Sequence, residues 1–132
     1  MADARNIDGS AFKNGSATFM ARIVSATGDN ITQNDISTVR YSIYLLDDQD
    51  PDLRTVVTGH DNAILSVATV LFTSLQTDTL WTVDTTGYNF RHILDVATYP
   101  AFSIAGRRYL VEYRLAPASG QVILVRFRIH VI

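Results

Sequence analysis

The sequence predicts an all-β domain, an antiparallel sandwich of about seven or eight short strands. Three observations predict it. Apolar and polar residues alternate, as Val39, Tyr41, Ile43 and Leu45 do against Thr38, Arg40, Ser42 and Tyr44. Turn residues punctuate these runs at Gly28-Asp29-Asn30, 59–62 and 116–120. No segment keeps a helical apolar period for more than about three turns. A small barrel is the main competing architecture.

Taken in order, residues 1–16 are polar, carry Gly9, Ser10, Asn14, Gly15 and Ser16, and show no apolar period. They are expected to form an extended N-terminal arm, with the sandwich occupying 17–132. Residues 18–25 place Phe19, Ala21 and Ile23 on one strand face, and 38–45 form the alternating strand above. An acidic loop with Pro51 follows at 47–52, then a short strand at 54–58 and a turn at 59–62. The stretch 63–72 is apolar and β-branched and reads as extended, although periodicity alone leaves helix open. Residues 75–81 connect to a strand at 88–94, and 96–102, with Pro100, make a turn or one helical turn. The runs 107–115 and 121–132 close the chain as a hairpin.

The segment Asp84-Thr85-Thr86-Gly87-Tyr88-Asn89-Phe90 has the spacing of a tyrosine corner. In a corner the loop crosses between the two sheets of a sandwich, the ring packs inward and its hydroxyl bonds backbone upstream. Asp84 and Tyr88 are therefore the expected structural corner, with Asp84 tying down the loop through its backbone N–H groups. Trp81, just before it, is expected to plug the core or the space between sheets.

Composition narrows function more than it specifies it. A chain of 132 residues with 47% hydrophobic content suits one domain with a real core. No apolar run reaches the roughly 18 residues of a membrane helix, and the N-terminus has no signal-peptide core. The absence of cysteine excludes disulfides, thiolate metal sites and cysteine nucleophiles. Only 18% of residues are charged, against roughly 25% in ordinary soluble domains, and the net charge is −2. Neither nucleic acid nor a membrane is implied as a partner. Lys13 is the one lysine among eleven basic residues. Arginine is enriched and lysine depleted at protein interfaces, and sparse charge suits a surface that becomes buried.

The final hairpin has two clear faces. Tyr109, Val111, Tyr113 and Leu115, with Ile123, Val125, Phe127, Ile129 and Val131, are expected in the core. The other face carries Arg108, Glu112, Arg114, Arg126, Arg128 and His130. A register centred on Ala118 sets Arg108 opposite Arg128 and Glu112 diagonal to Arg126. One glutamate cannot neutralise four arginines, and Leu110, Val122 and Leu124 share this face. It is the expected protein interface, suited to an acidic or carbonyl-rich surface; an ordinary solvated sheet face is the plainer reading.

Other motifs carry less. Asp48, Asp50 and Asp52 open like a calcium loop, but Leu53 stands where glycine is required and Gly59 where a bidentate glutamate belongs. His60, His92 and His130 lack metal-ligand spacing. There is no nucleophile elbow, no phosphate loop, and Glu112 is the only glutamate, so paired-carboxylate chemistry is unsupported. No catalytic residue, cofactor or metal is expected, and the chain reads as non-enzymatic. Tyr41, Tyr44 and Trp81 could stack on a sugar, which makes a carbohydrate- or receptor-binding module the alternative, although aromatics on half-buried strands usually belong to a core.

A resemblance rests on Leu75-Gln76-Thr77-Asp78, Trp81-Thr82-Val83-Asp84, Thr86-Gly87-Tyr88-Asn89-Phe90, Gly106-Arg107-Arg108-Tyr109, Val111-Glu112-Tyr113-Arg114, and Pro117 with Ser119-Gly120. Together they resemble small structural proteins encoded among the head and tail genes of tailed bacteriophages. More loosely they are similar to the immunoglobulin-like domains that decorate capsids and tails. The resemblance spans about half the chain and carries no site residues with it. It implies an immunoglobulin-like sandwich in a virion structural protein, first a capsid decoration or cement protein, next a neck or tail component. Such a protein is made in the host cytoplasm, resides in the virion, and partners capsid or other virion proteins as a homo-oligomer or lattice-assembled subunit. The arm and the arginine-bearing face are where shell contact is expected.

Overall fold

The computed structural model describes residues 5–25, 28–50, 52–118 and 120–132. Among them nine strands appear: β1 (Arg5–Ala11), β2 (Thr18–Ala21), β3 (Ile36–Leu46), β4 (Arg54–Val56), β5 (Ala63–Leu65), β6 (Leu71–Gln76), β7 (Tyr88–Ile93), β8 (Arg108–Pro117) and β9 (Ile123–Val131). A four-residue helix, α1 (Val67–Val70), precedes β6, and a 3-10 turn at Gln33–Asp35 precedes β3. The strands make two sheets. One has the order β1-β9-β8-β3-β4, with β5 also on β3; the other has β2-β7-β6.

The two sheets enclose the core as the alternation requires. Tyr109, Val111, Tyr113 and Leu115 of β8 and all five inward residues of β9 are buried. Rings interlock across the gap: Phe19 of β2 meets Phe127 of β9 edge-on at 4.9 Å, and Phe90 of β7 meets Tyr113 of β8 at 4.8 Å. Each such side chain contributes roughly 1.5–3 kcal/mol by leaving water, and edge-to-face geometry adds to that.

Several expectations are corrected. Within the segment read as an arm, Arg5–Ala11 is strand β1, paired in parallel with β9 from Arg5↔Val125 to Ala11↔Val131. Edge pairing proceeds through main-chain groups and needs no apolar alternation, so composition did not betray it. Residues 1–4 of the arm lie outside the described residues, as does Pro51 of the acidic loop. The stretch 63–72 is not one extended run: β5 is followed by the single helical turn α1, and only then by β6. The hairpin register is two residues from the expected one. Arg108 faces His130, Leu110 faces Arg128, and Glu112 faces Arg126 directly. A shift of two preserves the faces, because side chains alternate with period two, and changes only the partners.

The expected corner at Tyr88 is corrected in its main feature. β6 and β7 are antiparallel neighbours in one sheet, so the loop between them does not cross sheets. Tyr88 is buried, but its hydroxyl donates to Asp78 Oδ2 at 2.5 Å, not to backbone. Asp84 does cap the loop, its Oδ1 accepting from the N–H groups of Thr86 and Gly87, both at 3.1 Å. It also accepts from Trp81 Nε1 at 2.9 Å and pairs with Arg22 at 2.7 Å, and these bonds hold its carboxyl well below the usual carboxylate range. Trp81 is half-buried against the Tyr88 ring in this loop, not a plug between sheets.

After β7 the chain crosses between the sheets in the connection to β8. There the hydroxyl of Tyr109, the second residue of β8, accepts from the Ile104 N–H at 3.2 Å, and its ring packs edge-on against Phe102. Another crossing, from β2 to β3, is pinned from β7. Buried Asn89 accepts from Ile23 N–H at 2.8 Å and donates to the carbonyls of Ile23 and Ile31, both at 2.9 Å.

Candidate functional site

The outer face of the larger sheet is assembled by register. Ser42, Glu112 and Arg126 form one row across β3, β8 and β9; Tyr44, Leu110, Arg128 and Asp8 form the next; Arg108, His130 and Ser10 form a third. Arg40 and Arg114 face each other one row further on. Arg54 of β4 joins them, its guanidinium 4.1 Å above the Tyr44 ring. Six arginines therefore share this face, and among the described residues the acids that register sets beside them are Glu112 and Asp8, in a chain whose net charge is −2. The compensating aspartates sit elsewhere, chiefly in the loops.

The expected interface residues do come together. Glu112 is buried and receives Arg126 Nε at 2.8 Å. Arg114 donates to Asn62 Oδ1 at 2.5 Å, and Arg40 donates to the Asn62 carbonyl at 3.4 Å. Asn62 holds a positive φ of 52° and its N–H donates to buried Ser42 Oγ at 2.8 Å, so the β4–β5 turn organises this corner of the face. Arg108 and Arg128 project outward and are exposed. Sequence reasoning found the β8–β9 arginines but missed Arg40 and Arg54, because only pairing shows that β3 and β4 extend the same face.

The acidic loop is occupied with itself. Asp47 Oδ2 accepts from Gln49 and Asp50 N–H at 3.0 and 2.9 Å, Asp50 accepts from Asp52 N–H at 3.1 Å, and Asp48 lies 2.8 Å from Arg107 Nε. The backbone bonds from Asp50 and Gln49 pull the Asp47 carboxyl below its ordinary range. Among the described residues no set of three His, Asp or Glu side chains could hold a metal ion.

Two of the three histidines belong to the core. His60 Nε2 lies 2.8 Å from the Tyr99 carbonyl, which can only accept, so Nε2 carries the proton. Nδ1 is hydrogen-bonded to the Tyr41 hydroxyl at 2.7 Å. His92 Nδ1 is hydrogen-bonded to the Tyr113 hydroxyl at 2.7 Å, and its ring lies 5.1 Å from that of Tyr41. Burial, with a smaller contribution from His60, pushes its pKa down to about 4. Burial raises the pKa of Tyr113 and Tyr41. Neither Tyr44 nor Trp81 offers a free platform: Arg54 covers one ring, and the other leans on Tyr88 with its N–H engaged. Comparison with protein-family models, curated proteins and solved structures finds no match.

Proposed function

We propose that the chain is a non-enzymatic structural protein that docks onto an acidic or carbonyl-rich protein surface through the outer face of its larger sheet. The observation that carries this reading is the concentration of six arginines on that face of a net-acidic, lysine-poor chain. Like-charged guanidinium groups on one rigid face repel each other until a partner supplies the counter-charge, and such a field also steers encounter. Val56 of β4, exposed beside Tyr44, gives this part of the face apolar area to bury.

The setting we propose is a phage virion, with the chain as a capsid decoration or cement protein or, next, a neck or tail component. The fold we propose is immunoglobulin-like. Supporting it, β2, β6 and β7 take the places of strands B, D and E, and β3, β8 and β9 those of C, F and G. β4 and β5 extend the second sheet as C′ and C″ do, departing from that pattern in that β5 pairs with β3. Tyr109 stands where the tyrosine corner of strand F would be. Repetition on a symmetric shell would add many weak contacts into firm attachment. Since Arg5–Ala11 is held on β9, the sheet face and not that part of the arm carries the contact.

The test is co-sedimentation of the purified chain with phage particles assembled without it. The chain is expected to pellet with the particles, and the triple variant Arg40→Gln, Arg54→Gln, Arg126→Gln to remain in the supernatant while keeping its circular dichroism spectrum. Failure of the unmodified chain to pellet at any salt concentration sinks the virion reading. Equal pelleting of the triple variant sinks the arginine face.

A further inference from the structure

The arginines of the chain divide sharply by what they touch. Four are in ion pairs, with Asp84, Asp78, Asp48 and Glu112. Two converge on Asn62, and one stacks on Tyr44. Of the nine arginines whose side chains the structure describes, from Arg22 onward, Arg108 and Arg128 alone have neither an ion pair, a hydrogen bond nor a ring contact. Both line the same cleft of about 360 Å³, together with His130 and Asp8 and the backbone region of Gly9 and Ile129. The register explains the convergence: Arg108 faces His130, Arg128 stands one row away beside Asp8, and β1 forms the far wall.

We propose that this cleft is the anchor of the docking face and binds a carboxylate side chain of the partner. The inference rests on the docking reading and names the chemistry at its centre. Two planar guanidinium forks match the two oxygens of a carboxylate, and each can donate a pair of N–H groups. The charge count points the same way. With Asp8 at the wall, the two arginines leave one uncompensated positive charge between them, which one carboxylate cancels. A phosphate dianion would overshoot that charge.

The experiment is a titration of the ¹⁵N-labelled chain with sodium acetate, following arginine Nε–Hε and histidine ring signals, with sodium chloride at matched ionic strength as reference. Arg108, Arg128 and His130 are expected to shift saturably with acetate and not with chloride. Arg128→Gln should weaken the acetate response about tenfold, the factor set by losing a charged hydrogen bond, whereas Arg91→Gln, on the other sheet, leaves it unchanged. Shifts spread equally over Arg40, Arg54, Arg108 and Arg128 would mean diffuse screening and overturn the site. Inorganic phosphate binding more than about tenfold tighter than acetate at neutral pH would overturn the carboxylate assignment. Failure here with sedimentation still abolished by the triple variant removes the anchor and leaves the docking face standing; failure of sedimentation alone removes the docking reading.

Discussion

Protonation of His92 should make the fold unusually sensitive to mild acid. The ring is buried between the sheets with Tyr113, Tyr41 and His60 around it, and its folded pKa is about 4 against an ordinary 6.5. A depressed histidine favours the fold in its neutral form. That contribution is complete above pH 6.5, declines as pH falls from 6.5 towards 4, and is gone below it. At about 1.36 kcal/mol per pH unit the whole span is worth about 3 kcal/mol, of which about 2 kcal/mol is lost by about pH 5. Asp84, Asp78 and Asp47 also lose stability in acid, but their folded pKa values lie below the ordinary 3.8, so their losses begin below this window. Urea unfolding followed by far-UV circular dichroism at several pH values reads the effect. With a urea slope of about 2 kcal/mol per molar, the midpoint should fall by about 1 M between neutral pH and about pH 5. His92→Asn keeps an acceptor near Tyr113 and cannot charge, so its midpoint should be nearly level across the same range. An unmodified chain whose midpoint does not move, or a His92→Asn chain with the same slope, would refute the reasoning.

Two further perturbations test how the loops are held. Asn89→Ala removes three hydrogen bonds to the backbone of Ile23 and Ile31; at about 1 kcal/mol each it should cost about 3 kcal/mol in urea unfolding, and a loss under about 1 kcal/mol would show that the β2–β3 loop is held otherwise. Gly59 has φ +85° and a Cβ there would lie 2.1 Å from Tyr99 Cγ, whereas Gly106 has φ +83° and open space. Gly106→Ala should therefore cost about 1–2 kcal/mol for the left-handed backbone alone, and Gly59→Ala a further 1–3 kcal/mol or so for overpacking; equal melting temperatures would rule out the Tyr99 contact as a constraint.

Local pattern carried the hairpin faces, because period two assigns each residue of β8 and β9 to a side without knowledge of its partner. It could not carry register, since a shift by two leaves the pattern unchanged and turns a diagonal Glu112–Arg126 into a direct pair. The carboxylate four residues before the tyrosine is present at Tyr88 as Asp84, whereas Tyr109 has Ala105 in that place, so the spacing pointed to Tyr88. Whether the flanking strands share a sheet is a long-range fact, which is why the crossing tyrosine proved to be Tyr109. β1 escaped notice because its bonds to β9 are main-chain bonds. The run from Ala63 to Phe72 has no period that separates one turn of α1 from strand. The His60 and His92 contacts join elements far apart in sequence, and the β3–β4 part of the arginine face likewise depended on pairing.

The position of Trp81 bears on how this molecule can be watched. The chain has a single indole, and it sits in the β6–β7 loop, tethered to Asp84 and leaning on Tyr88, outside the interlocked rings of the core. Its emission therefore reports the β6–β7 loop and not the centre of the sandwich. Loosening of that loop would dim or red-shift the signal while backbone ellipticity stays native, and the interval between the two curves measures the loop's own free energy of opening.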